Sequence, residues 1–125
     1  ISGRTCFTGY RHGDELVRAL WAGDIFVTPS RSENMPISIL EALAVGLPVI
    51  GLAALGIPEL VKDGVNGVLV TTTEVSELAD RMHELLTDNK RRRLLAKNAP
   101  ASVARFAPAA IGQELEVCYR SLIQP

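Results

Sequence analysis

Between residues 5 and 71, short apolar stretches alternate with helix-periodic ones, and no other feature of the chain constrains the fold as strongly. "TCFTGY" (Thr5–Tyr10) reads as a buried strand ending at Gly9. "DELVRALWAG" (Asp14–Gly23) follows as a helix with Asp14 as N-cap and Leu16, Val17, Leu20 and Trp21 at helical spacing, so Trp21 is expected in the core. "DIFVTPS" (Asp24–Ser30) is a second strand, stopped by Pro29. "PISILEALAVG" (Pro36–Gly46) is a helix with proline at its first position and glycine as its stop signal. "PVIGL" (Pro48–Leu52) is a third strand and "PELVKDG" (Pro58–Gly64) a helical turn or two. Asn66-Gly67 reads as a turn, and "GVLVT" (Gly67–Thr71) as a fourth strand. Strands that alternate with helices pair in parallel through right-handed crossovers. Short apolar strands without polar alternation belong to a sheet covered on both faces. The expected fold is therefore α/β, a Rossmann-like parallel sheet of about four strands with flanking helices.

From Glu74 the pattern turns wholly helical. "EVSELADRMHELLTD" carries Val75, Leu78, Ala79, Met82, Leu85 and Leu86 on one face, "KRRRLLAKNA" makes another helix, and Pro108 to Ile123 forms a last one with Ile111, Leu115, Cys118 and Leu122 aligned. A chain of 125 residues makes at most one domain. The first residues, "ISGRTCFTGY", lack an initiator methionine and enter almost directly into a strand, as expected of a piece of a longer protein.

Parallel sheets of this kind bind ligands at the carboxyl ends of their strands. The loops gathered there are Gly9–Gly13, Ser30–Met35, Ala53–Ile57 and Thr71–Thr73. Within them two carboxylates need an explanation. Glu41 interrupts an apolar helix that should be buried on most of its surface. Ionised and buried without a partner it would cost several kcal/mol. It must face water, pair with a cation, or accept hydrogen bonds from a ligand, for which two ribose hydroxyls are a good match. Glu33 lies in the loop before the same helix. With Pro36 first in the helix, Met35 is the N-cap and has no acceptor to offer. The amides of Ile37, Ser38 and Ile39 then stand bare unless Asn34 folds back over them. A bare helix mouth at the end of a parallel strand suits an anion such as phosphate.

Other classes are disfavoured. With 13 basic against 14 acidic residues the chain has no general pull on nucleic acid. Met35–Val61 is apolar but carries Glu41, Glu59, Pro48, Pro58 and several glycines, which is too much punctuation for a membrane span. Cys6 and Cys118 lie far apart without metal-ligand spacing and read as buried, reduced thiols of a cytosolic protein. His83 is expected on the surface, His12 in a loop, and the Lys90–Arg93 run on a solvated face. No Ser/His/Asp set, phosphate-cradling P-loop or zinc-protease motif occurs.

The ordered set "FTGY…ELVRALWAGDIFVTPSRSE", "ENMPISILE", "LEALAVGLPVIG" and "GIPELVKDGVNGVLV" resembles retaining GT-B glycosyltransferases of the family-4, or group 1, type, whose signature is a glutamate, seven residues and a second glutamate. The resemblance runs from about Cys6 to the final helix. It implies that residues 1–125 are a single partial C-terminal domain, lacking the N-terminal acceptor domain and this domain's own first strand and helix. Glu33 would then be the catalytic carboxylate facing donor-sugar hydroxyls, and Glu41 would hold the ribose. Asn34, Met35 and the amides of Ile37 and Ser38 would line the sugar or diphosphate. Gly9, Tyr10, Arg11 and His12 would lie beside the base, with Gly56 and Glu59 across the site. Two departures stand out. Met35-Pro36 replaces a frequent Phe-Gly, and Leu55-Gly56 replaces paired glycines, so that only Gly56 is expected to reach positive φ without strain.

The resemblance implies transfer of a hexose-type sugar from a nucleotide-sugar to a glycan, lipid or small-molecule acceptor, with an oxocarbenium-like transition state and attack on the same face. No cofactor and no metal is expected, because the leaving diphosphate is neutralised by protein cations and helix dipoles. The Arg and Lys of that clamp fall outside this chain, so negligible activity of these residues alone is expected. The location is expected to be cytoplasmic, at the inner face of a membrane in the longer protein. The rival reading is a non-catalytic regulatory or assembly module that forms homo-oligomers through an exposed sheet edge.

Overall fold

A computed structural model describes residues 3–123. Its elements in chain order are α1 (Gly13–Trp21), β1 (Phe26–Thr28), α2 (Ile37–Ala44), β2 (Val49–Leu52), α3 (Ile57–Leu60), β3 (Gly67–Val70), α4 (Val75–Thr87), α5 (Asn89–Val103), a 3-10 turn (Ala104–Phe106) and α6 (Pro108–Ile123). The three strands form one parallel sheet in the order β1-β2-β3, with Phe26 opposite Val49 and Val49 opposite Gly67.

Strand β2 is buried along its whole length, as a central strand covered on both faces must be. Its side chains alternate between two cores. Val49 joins Ile39 and Leu43 of α2, Ile57 and Leu60 of α3 and the following Val61, together with Ala99 and Val103 of α5. Ile50 and Leu52 join Val68, Val70, Leu85 and Leu95 on the α4 side. Helix α5 therefore contributes to both layers. Full burial of Leu43 stabilises the fold by about 2 kcal/mol.

Helix α2 ends on a Schellman motif. The amide of Leu47 donates to the Ala42 carbonyl (2.9 Å) and that of Gly46 to the Leu43 carbonyl (3.0 Å), with Gly46 at φ 89°. The glycine stop read from the sequence lies at this residue. Helix α6 has the bounds expected of it, but none of its residues is buried, so the aligned Ile111, Leu115, Cys118 and Leu122 face outward.

Four expectations are corrected. Thr5–Tyr10 is not part of the sheet, and Phe7 and Tyr10 are 95% and 90% exposed. A strand is held by its ladder, and among the described residues β1 pairs only with β2. Trp21 is 67% exposed, because α1 reaches the core through Leu20 and no described element covers its far side. Cys6 and Cys118 are free, as expected, but both are exposed.

The fourth correction concerns Asn66-Gly67, which is not the turn. The chain reverses over Lys62–Asn66, with Gly64 at φ 72°. Asn66 is fully buried: its Nδ2 donates to the Leu60 carbonyl (2.9 Å) and to Ser102 Oγ (2.7 Å), and its Oδ1 accepts from the Lys62 amide (2.7 Å). Gly67 opens β3 because a Cβ there would lie 2.2 Å from the Val49 carbonyl oxygen.

Candidate functional site

The carboxyl end of β1 leads through Pro29–Met35 into the mouth of α2. The helix begins one residue later than expected, at Ile37, so Pro36 rather than Met35 is the N-cap. Proline offers no side-chain acceptor either, and Asn34 does not fold back: the helix has no side-chain cap. The amide of Ile39 is satisfied by the Pro36 carbonyl (3.0 Å). Two amides remain at the mouth, those of Ile37 and Ser38, with no acceptor among the described residues. Both residues are exposed, so the positive end of the helix dipole opens to solvent.

A second loop from the carboxyl end of β2 is welded to this mouth. The amide of Gly56 donates to the Glu33 carbonyl (3.0 Å), and a Cβ on Gly56 would sit 1.6 Å from the Asn34 carbonyl oxygen. Only glycine tolerates so close an approach. The positive φ expected at Gly56 is found instead at Leu55, at 46°, while Gly56 is at −77°. Steric contact with Asn34 claims the glycine, and the left-handed residue falls on a leucine, at about 1–2 kcal/mol of strain. Glu33, Asn34 and Gly56 are thus brought together by backbone contacts. The Glu33 carboxylate is exposed and accepts from Ser30 Oγ (3.3 Å). Glu59, in the single turn α3, is also exposed.

Glu41 lies one turn along α2, half-buried, and its carboxylate has no hydrogen bond or cation among the described residues. It lines two cavities on either side of α2. One, of about 390 Å3, is closed by Gly13, Asp14, Leu16, Val17 and Leu20 of α1. The other, of about 320 Å3, is walled by Pro100, Val103 and Phe106. Glu33 lines neither: its backbone carbonyl is tied to Gly56 beside the mouth, whereas Glu41 faces α1 on one side and α5 on the other.

The remaining expected residues lie just before α1. Tyr10, Arg11 and His12 are exposed. His12 is the N-cap without a side-chain bond, and Gly9 has φ 69°. Arg11 is held locally, by Nε donation to the Thr8 carbonyl (3.0 Å) and an ion pair with Glu15 (3.2 Å). Asp14 is in the first turn of α1 and is not its cap. The loop reaches Glu41 through Gly13, at φ 55°, which the sequence reading bounded but did not single out. Ser30 and Leu55 were also missed. Ser30 had a signal in its spacing of three from Glu33, whereas Leu55 had none, since the glycine beside it drew the left-handed assignment.

With this geometry in hand, similarity to known proteins is informative. A family model described as "Glycosyl transferases group 1" matches residues 1–102. The sulfoquinovosyl transferase SQD2 of Arabidopsis thaliana is 36% identical over 103 residues, which are 80% of this chain and 20% of that protein. Sucrose-phosphate synthase from Thermosynechococcus elongatus superposes with a TM-score of 0.88 at 31% identity, over 96% of this chain and 30% of its own. Alr3699/HepE of Anabaena, in complex with UDP-glucose, superposes with a TM-score of 0.79 at 30% identity, over 92% of this chain and 32% of its own. The chain spans about a fifth to a third of the length of these proteins.

Proposed function

The chain belongs to the group 1 glycosyl transferases, with the Rossmann-like GT-B fold, and on that premise we propose that it is the nucleotide-sugar-binding part of a retaining enzyme. The longer protein transfers a hexose-type sugar to a glycan, lipid or small-molecule acceptor held by an N-terminal domain. The observation that carries this reading is the bare pair of amides at Ile37 and Ser38, facing solvent beside the Glu33–Gly56 weld. A helix start that lacks its own cap is a ready site for an anionic group, and the donor diphosphate supplies one.

In this reading Glu33 contacts hydroxyls of the donor sugar and stabilises the oxocarbenium-like transition state. Glu41, half-buried and without a cation, takes the two ribose hydroxyls, and the Gly9–His12 loop lies beside the base. Asn34, Met35, Gly56 and Glu59 line the sugar side. No metal takes part: cations and helix dipoles carry the leaving diphosphate. The protein works in the cytoplasm. Residues 1–125 alone turn over negligibly, because the clamp cations and the acceptor domain belong to the longer protein.

Calorimetric titration of UDP-, GDP- and ADP-sugars into the full-length protein tests this. One of them binds, and Glu41→Ala weakens it by about 10- to 100-fold, the cost of hydrogen bonds to a charged acceptor. Glu33→Gln lowers turnover far more than affinity. Absence of binding by all three nucleotides, or an unaltered affinity in the Glu41 variant, sinks the proposal. Among the described residues the outer edge of β1 pairs with no strand, which favours one second reading, a module that pairs edge to edge with a second copy. Sedimentation showing dimers that a β1 proline substitution dissolves would support it.

A further inference from the structure

The stretch "KRRRLLAK", Lys90–Lys97, packs five of the chain's 13 basic residues into eight positions without an acid. The structure divides these cations into two groups. Arg91 pairs with Glu84 (3.5 Å), and Arg92 pairs with Asp24 (3.5 Å) while donating to the Leu85 and Leu86 carbonyls (3.0 and 3.2 Å). These two arginines fasten α5 to its neighbours. Lys90, Arg93 and Lys97 have no carboxylate partner among the described residues, and all three are exposed.

Their spacing places them with Leu94 on one stripe, within about 100° of the helix circumference. Leu94 is 56% exposed, and Leu86, in the last turn of α4, is 53% exposed. The nearest acids are already engaged. Asp88 accepts the amides of Lys90 and Arg91 as the α5 cap, and Glu84 is shared between Arg81 and Arg91.

We propose that this stripe of α5, Lys90, Arg93, Leu94 and Lys97, with Leu86 beside it, is a docking surface for anionic lipid. Cations flanking an exposed leucine match a membrane interface, where phosphate headgroups meet the ammonium and guanidinium groups and the acyl boundary takes the side chain between them. A nucleic acid would leave the leucines without a partner, and the stripe has no aromatic ring on which a base could stack. The attraction is local, because the chain as a whole carries a net charge of −1.

The stripe also has a definite place in the fold. Arg92, Arg93 and Ala96 share a cavity with Gly23, Asp24 and Pro48, residues that immediately precede β1 and β2. It therefore lies toward the amino ends of the strands, and the α2 mouth lies at their carboxyl ends. Docking leaves the candidate donor site open, and the inference does not depend on that site's assignment.

Flotation of the purified protein with vesicles of mixed phosphatidylcholine and phosphatidylglycerol, against phosphatidylcholine alone, tests the surface. Each basic residue near an anionic leaflet contributes about fivefold to partitioning, so neutralising Lys90, Arg93 and Lys97 to glutamine lowers it about a hundredfold. Neutralising Arg18, Arg105 and Arg120 changes net charge equally but lowers it only slightly. Leu94→Ser lowers it severalfold. Lys97→Gln alone, at an exposed helix position that no packing depends on, lowers it about fivefold and covers the case in which the triple variant fails to fold. The proposal is overturned if the wild type prefers neither vesicle, if both triple variants lose equally, or if Leu94→Ser is silent while duplex DNA binds as tightly as the vesicles.

Discussion

Gly56→Ala perturbs the contact on which the candidate site depends. The added methyl would sit 1.6 Å from the Asn34 carbonyl oxygen and 2.5 Å from its carbon, both far inside any tolerated contact. The obstacle is backbone, so no rotamer relieves it. Either the Glu33–Asn34 segment retreats by well over an ångström or the Leu55–Gly56 turn does. Both movements break the hydrogen bond from the Gly56 amide to the Glu33 carbonyl. Gly56 is buried, so the stranded amide costs about 1–3 kcal/mol. Overpacking adds a similar amount, and a total of about 2–6 kcal/mol is expected. Urea unfolding followed by circular dichroism reads this as a fall in midpoint at constant slope. Gly112→Ala, in the exposed helix α6 with nothing within 4 Å, is the control and should stabilise by about 0.5–1 kcal/mol. A Gly56 variant within about 0.5 kcal/mol of wild type, where harmless surface changes fall, would refute the close approach and the weld built on it.

Other perturbations reach different parts of the molecule. Leu55→Gly removes left-handed strain but frees the unfolded chain, so the net gain is up to about 1 kcal/mol in thermal denaturation; a loss would mean that the leucine side chain has a packing role. Asn66→Ala strands the buried Leu60 carbonyl and the Lys62 amide and should cost about 2–4 kcal/mol, with α5 losing hydrogen-exchange protection around Ser102. The Glu77 carboxyl is held below the ordinary carboxylate range, first by the Thr72 hydroxyl (2.6 Å), with the Thr72 amide and Arg81 adding to it and partial burial opposing. Its folded-state pKa is depressed, so its contribution to stability is fully present above the unfolded-state value. That contribution is lost as pH falls through the folded-state value. Thr72→Val should move the Glu77 titration, followed by carboxyl-carbon NMR, back up toward the ordinary value. Stability of the two proteins should then differ at neutral pH and converge in acid.

Legibility divided along a physical line. Features set by near neighbours in the chain were readable: the α/β alternation, the Gly46 stop of α2, the bounds of α6, and a helix mouth without a side-chain cap. The pair of glutamates was legible as an anomaly. That the Glu33 backbone joins Gly56 while Glu41 lines one cavity beside α1 and another beside α5 was not, because spacing along the chain does not tell which loops meet in space.

What folding alone decided depends on what covers what. The apolar character of Trp21 argued for burial, but burial requires an element overhead. Thr5–Tyr10 has the composition of a strand, but a strand exists only through its ladder. At Leu55-Gly56 and Asn66-Gly67 local rules assigned the glycines to turns. Tertiary contact used them instead where two backbones approach too closely for any side chain, at Asn34 and at Val49, and gave the buried Asn66 side chain the task of joining the Lys62 turn to α5. Periodicity and punctuation are local properties that the amino-acid order carries outright. Coverage, close approach and buried polar pairing are relations between distant segments, and they take values only once those segments have packed.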